Sequence, residues 1–152
     1  MGGNAVNAVV NIITKDSADT QGSLLSGTYA RGDNYNVAVR QGVQFNDKVT
    51  GRVFYKHRRS RAIAGRDDFV TDQHTAGVKL QGERSNSDTW QLHFGGTQRS
   101  HDQDINTFHW GTGEVDNVYA EIEAYTAYMQ LDYATHINER LEAKYKLWAQ
   151  NQ

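Results

Sequence analysis

Cysteine and proline are both absent from the 152 residues. The first absence removes disulfides and thiolate metal sites without fixing a compartment. The second leaves no residue that must interrupt a β ladder, which suits strands whose backbone groups are all paired. Long apolar runs are missing too. None approaches the ~18 residues of a membrane helix, which excludes a helical membrane protein. It does not exclude a β-barrel, whose strands show only every second residue to lipid. A surplus of positive charge is also lacking: the formal charge is -2 and the pI about 6.3. That argues against nucleic acid as a partner. Met1 is followed by Gly2-Gly3-Asn4 rather than by a basic region and an apolar segment, so no secretory leader is visible. Taken literally, this places the chain in the cytoplasm.

Catalytic constellations are absent as well. Gly111-Thr112-Gly113 lacks the rest of a dinucleotide fingerprint, and Gly2-Gly3 has no following Gly-Lys. The serines have no Gly-x-Ser-x-Gly frame. The reading is therefore of a protein that is not an enzyme and that binds no cofactor.

What the sequence does contain is alternation with a period of two. Tyr35, Val37, Val39, Val43 and Phe45 fall on one face of an extended segment, against Asn36, Ala38, Arg40, Gly42 and Gln44. A short turn at Asn46-Asp47-Lys48 leads to Val49, Gly51, Val53 and Tyr55 against Thr50, Arg52, Phe54 and Lys56. The same grammar gives strands over 75–84, 89–98, 118–135 and 141–149, with short turns near 85–88 and 136–139. A first strand over 23–31 alternates poorly and ends in Arg31-Gly32-Asp33-Asn34, a turn by composition that also spells the integrin tripeptide; the turn is the preferred reading. Between these pairs lie two aperiodic polar stretches, 57–68 and 99–117, which read as long loops. The fold class is all-β, an antiparallel hairpin ladder, with short connections on one side and long ones on the other. Outer-membrane barrels have short periplasmic turns and long extracellular loops. A soluble sandwich would also alternate, but it would bury its apolar face.

The opening stretch is of another kind. Ala8-Val9-Val10-Asn11-Ile12-Ile13-Thr14 is a β-branched apolar run closed by Lys15-Asp16-Ser17, and reads as one buried strand. Gly3, Asn4, Ala5, Val6, Asn7, Asn11, Ile12, Ile13 and Thr14 sit in a segment, Gly3 to Lys15, that resembles the end of the plug domain of TonB-dependent outer-membrane receptors. The usual form there is Gly-x-Asn-Ala-Val-Asn-Gly-Val-Ile-Asn-Ile-Ile-Thr-Lys, so Ala8 and Val10 are conservative departures. The resemblance implies three parts: residues 1–15 as the end of a plug, 16–22 as a linker, and 23–152 as about seven opening strands of an incomplete transmembrane barrel. It implies a bacterial outer-membrane location and a place in a receptor for active uptake of scarce nutrients, foremost ferric siderophores. Its partners would be the TonB energy-transducing complex, reached through residues upstream of this stretch, the nutrient chelate, and outer-membrane lipid with lipopolysaccharide. On this reading the chain begins in the middle of a longer protein. Two other classes stay open: a self-contained eight-stranded barrel, adhesin or structural, in which Ala8 to Thr14 supplies the eighth strand, and a soluble β-rich binding module.

Candidate ligand-binding residues fall in the two presumed loops. Arg58, Arg59, Arg61 and Arg66 carry guanidinium groups that suit an anionic ferric chelate or lipopolysaccharide phosphates. A solvated loop balanced by Asp67 and Asp68 is the plainer alternative. His101, Asp102, Asp104 and His109 offer zinc or iron ligand types in the second loop, although polar loops collect such residues freely.

Overall fold

The computed structural model describes residues 15–61, 70–85, 88–138 and 141–151. Seven strands form one antiparallel sheet in sequence order: β1 (Gly22–Ala30), β2 (Asn34–Asn46), β3 (Val49–Arg61), β4 (Val70–Ser85), β5 (Asp88–Phe108), β6 (Val115–Asn138) and β7 (Leu141–Asn151). Each strand pairs with its chain neighbours alone, so the sheet is open, with β1 and β7 as its edges. A 3-10 turn at Ala18–Thr20 precedes β1.

The period-two reading of the strands survives in the register. Gly42 pairs with Arg52, Arg52 with Lys79, Lys79 with His93, His93 with Gln130 and Gln130 with Trp148. One row further along, Val43, Gly51, Leu80, Leu92, Leu131 and Leu147 line up. Because side chains alternate across a sheet, these two rows face opposite ways. One face is mostly polar, with Leu24, Phe54, Val118, Ile122 and Trp148 among its interruptions. The other carries an apolar belt. At one edge of the belt stand Trp90, Tyr133 and Tyr145, the two tyrosine rings 6.3 Å apart. At the other edge stand Tyr35, Tyr55 and Tyr125.

The two presumed long loops require correction. β3 continues through Arg61 and β4 begins at Val70, so only 62–69 lies between them. The stretch from Arg99 to Asn117 is mostly strand: β5 runs to Phe108, β6 starts at Val115, and they stay in register from Asp88↔Thr135 to Phe108↔Val115. Alternating hydrophobicity vanishes there because both faces are polar, yet the backbone ladder needs no apolar face to continue. The asymmetry of the connections is thus largely one of strand overhang, with eight and six residues left between strands at one end against two at the other. At the opposite edge of the sheet, all three short connections follow a shift of register, at Gln44/Asn46, Glu83/Ser85 and His136/Asn138. Such a bulge steepens the local twist into a tight turn.

Among the described residues no hydrophobic side chain is buried. The most buried side chains are polar: Ser17, Thr20 and Lys79, at 0%, 2% and 1% exposure. The sheet has no apolar core of its own.

Candidate functional site: a wall with two faces

The polar face is where the chain leading into β1 lies. The Ser17 amide donates to Gln81 Oε1 at 2.8 Å, and Lys79 Nζ donates to the Lys15 carbonyl at 3.1 Å with Asp16 Oδ1 at 3.7 Å. Thr20 passes over Gly42 so closely that a Cβ there would stand 2.1 Å from the Thr20 carbonyl oxygen. Only glycine leaves room for that crossing. The lead-in is therefore seated on a cationic row, Arg52 and Lys79 with His93 beside them, rather than on the apolar belt.

Beyond the lead-in the same face opens into a cleft of about 600 Å³, bordered by Asp16, Thr50, Gln81, Gln91, Asp132 and Lys146. Asp132 organises its floor. It accepts from Gln130 Nε2 at 2.6 Å and Gln91 Nε2 at 3.3 Å, and Lys146 Nζ stands 3.5 Å away. These side chains come from β5, β6 and β7, so the cross-strand register, not sequence proximity, builds the cleft.

The opposite face is bare. Val37, Val39, Val53, Phe94 and Met129 are 42–53% exposed, and no second layer of chain among the described residues covers them. A soluble sheet of this size would place a second layer here.

The arginine candidates are not one cluster. All three described members lie on β3, and neighbouring strand residues point to opposite faces. Arg58, paired with Gln73, is on the polar face. Arg59 and Arg61 are on the other face, Arg59 Nη1 3.9 Å from Asp72 Oδ2 and Arg61 Nη1 3.5 Å from Asp33 Oδ2. Arg66 lies outside the described residues, as do Gly3, Asn4, Ala5, Val6, Asn7, Asn11, Ile12, Ile13 and Thr14 of the plug-like segment. The histidine loop is not a cluster either. His101 and Asp102 are adjacent on β5 and face opposite ways; Asp102 Oδ2 accepts from the Val70 amide at 3.1 Å. His109 stands at the hairpin tip, its Nε2 3.0 Å from Asp116 Oδ2.

A constellation that the sequence conceals sits instead on the apolar-belt side, in the rows that carry Tyr125 and Tyr35 at the edge of the belt. His57 on β3 and His74 on β4 are direct cross-strand partners, and Asp72 is two residues from His74 on the same face. The imidazoles stack with centroids 4.1 Å apart, and both Nε2 atoms approach Asp72 Oδ1, at 2.7 and 3.1 Å. By its charged neighbours His57 reads as a loop residue; only the register brings it to His74.

No family model, curated protein or solved structure matches the chain.

Proposed function

We propose that the chain is a section of the wall of a TonB-dependent outer-membrane receptor, together with the last of its plug and the linker between them. The observation that carries this is the division of labour between the two faces: the lead-in is seated on the polar face while the apolar face meets no protein among the described residues. In a plugged barrel the polar face looks into the lumen and the apolar face looks at lipid. From Tyr125 to Tyr133 the belt spans about 27 Å along the strand, or about 20 Å upright when tilted as barrel strands are, close to the ~25 Å apolar band of such barrels. Aromatic side chains at both edges suit the two membrane interfaces. The overhanging β5–β6 hairpin then stands outside the cell and the three short turns inside the periplasm. An open sheet exposes two unpaired strand edges, which hydrocarbon does not tolerate, so further strands must complete the cylinder.

The role follows from the resemblance of residues 3–15: capture of a scarce nutrient, foremost a ferric siderophore, and its admission when TonB acts on the plug. The polar cleft around Asp132 is space that a stopper would occupy. Sequencing the DNA on both sides of this frame tests the assignment. A leader, a TonB-contacting box and the earlier plug upstream, with about fifteen further strands downstream, are expected. An open reading frame that closes around these strands with unrelated flanks overturns it.

A further inference from the structure

We propose that His57, Asp72 and His74 form a binding site for a divalent transition-metal ion of the zinc type on the apolar-belt face of the sheet. One ligand atom from each residue lies within 4.8 Å of the other two. Ligands of a tetrahedral zinc, about 2.0–2.1 Å from the ion, are about 3.3 Å from one another, so the three reach one ion once an imidazole turns out of the stack and the two ring planes meet at it. Two imidazoles and one carboxylate are a donor set that zinc accepts, with water completing the coordination.

The surroundings support the ligands in the way metal sites require. A histidine that coordinates through Nε2 keeps its proton on Nδ1 and needs an acceptor for it. The Tyr55 hydroxyl stands 2.8 Å from His74 Nδ1 and supplies one. Tyr35 meets the His57 ring edge-on, with centroids 5.1 Å apart, and holds its plane. Asp72 divides its two oxygens: Oδ1 faces both imidazoles and Oδ2 faces Arg59 at 3.9 Å. The guanidinium opposes a cation by charge, but it engages the oxygen that the ion does not use. His57 and Asp72 side chains are each 24% exposed, so an ion can enter from outside without the wall opening. Bound there, it cross-links β3 to β4 at the edge of the belt. This inference rests on side-chain geometry and not on the receptor reading.

The test is metal titration of the full chain, without a histidine tag, in detergent micelles. Co²⁺ is the probe for its visible absorption, and Zn²⁺ the competitor. One equivalent of Co²⁺ that Zn²⁺ displaces is expected. Asp72→Asn, which preserves shape, and His57→Ala each abolish the saturable signal. Tyr55→Phe keeps the ligands but weakens Zn²⁺ binding by about tenfold, the cost of losing a supporting hydrogen bond. Replacing His101 and His109 together changes nothing. If Asp72→Asn and His57→Ala bind as the parent does, or if the His101 and His109 replacement removes the signal, the proposal fails and the three residues are a hydrogen-bonded network centred on a carboxylate.

Discussion

Met129→Arg is the substitution that weighs the apolar face most directly. Met129 is 53% exposed and lies in the row Val53, Val78, Phe94, Met129, Ala149, midway between the Trp90–Tyr133–Tyr145 edge and the His57–His74 row. If that row meets hydrocarbon at the middle of a bilayer, arginine there costs about 2–4 kcal/mol, falling to about 0–1 kcal/mol near the interfaces. Since about 1.4 kcal/mol is a factor of ten, the folded population relative to unfolded drops by about 30- to 700-fold. Tyr145→Arg, at the rim, costs less than about 1 kcal/mol by the same rule. Gln130→Arg, one residue away but on the polar face beside Asp132, stays within the ~0.5 kcal/mol of an ordinary surface change. The assay is denaturant unfolding of the complete receptor that carries this section, refolded in phosphatidylcholine vesicles, comparing midpoints for the three variants. A depth gradient on one face and indifference on the other is the expected result. Equal, small effects at 129, 145 and 130 would refute the lipid-facing assignment, because water on both sides gives no gradient.

Two further outcomes concern the polar face. Gly42→Val places a side chain where the Thr20 carbonyl now passes, so the lead-in must lift away; amide exchange at Ser17 and Thr20 should accelerate while β2–β3 protection persists. Lys79→Met removes the donor to the Lys15 carbonyl and the cation beside Asp16, and should loosen the same segment by about 1–3 kcal/mol, read as the change in exchange protection at Ser17.

The strands whose two faces differ were legible in the sequence. Tyr35 to Phe45 and Thr89 to Gln98 alternate because one side is apolar, and the register keeps those faces together across the sheet. Where both faces are polar, as over 99–104, hydropathy carries no period and the strand looks like a loop. The run Arg58-Arg59-Ser60-Arg61 misled for the same reason: charge density suggests a loop, while the backbone of β3 is paired with β4 throughout. The pair His57 and His74 was out of reach for a different cause. Its members are seventeen positions apart, and only the exact register makes them neighbours. The seat of the lead-in, Thr20 over Gly42, likewise depends on which glycine faces the crossing.

Because the chain contains no cysteine, one can be introduced at each position of 127–133 in turn and carry a single nitroxide label. With this section in its complete receptor, freed of any cysteine elsewhere and held in lipid vesicles, oxygen, which concentrates in hydrocarbon, and a water-soluble nickel complex then report what each side chain meets. Labels at 127, 129, 131 and 133 are expected to be reached by oxygen and shielded from nickel, with the order reversed at 128, 130 and 132. Nickel reaching both sets equally, or the odd set shielded from both reagents as inside a globular core, would contradict the account.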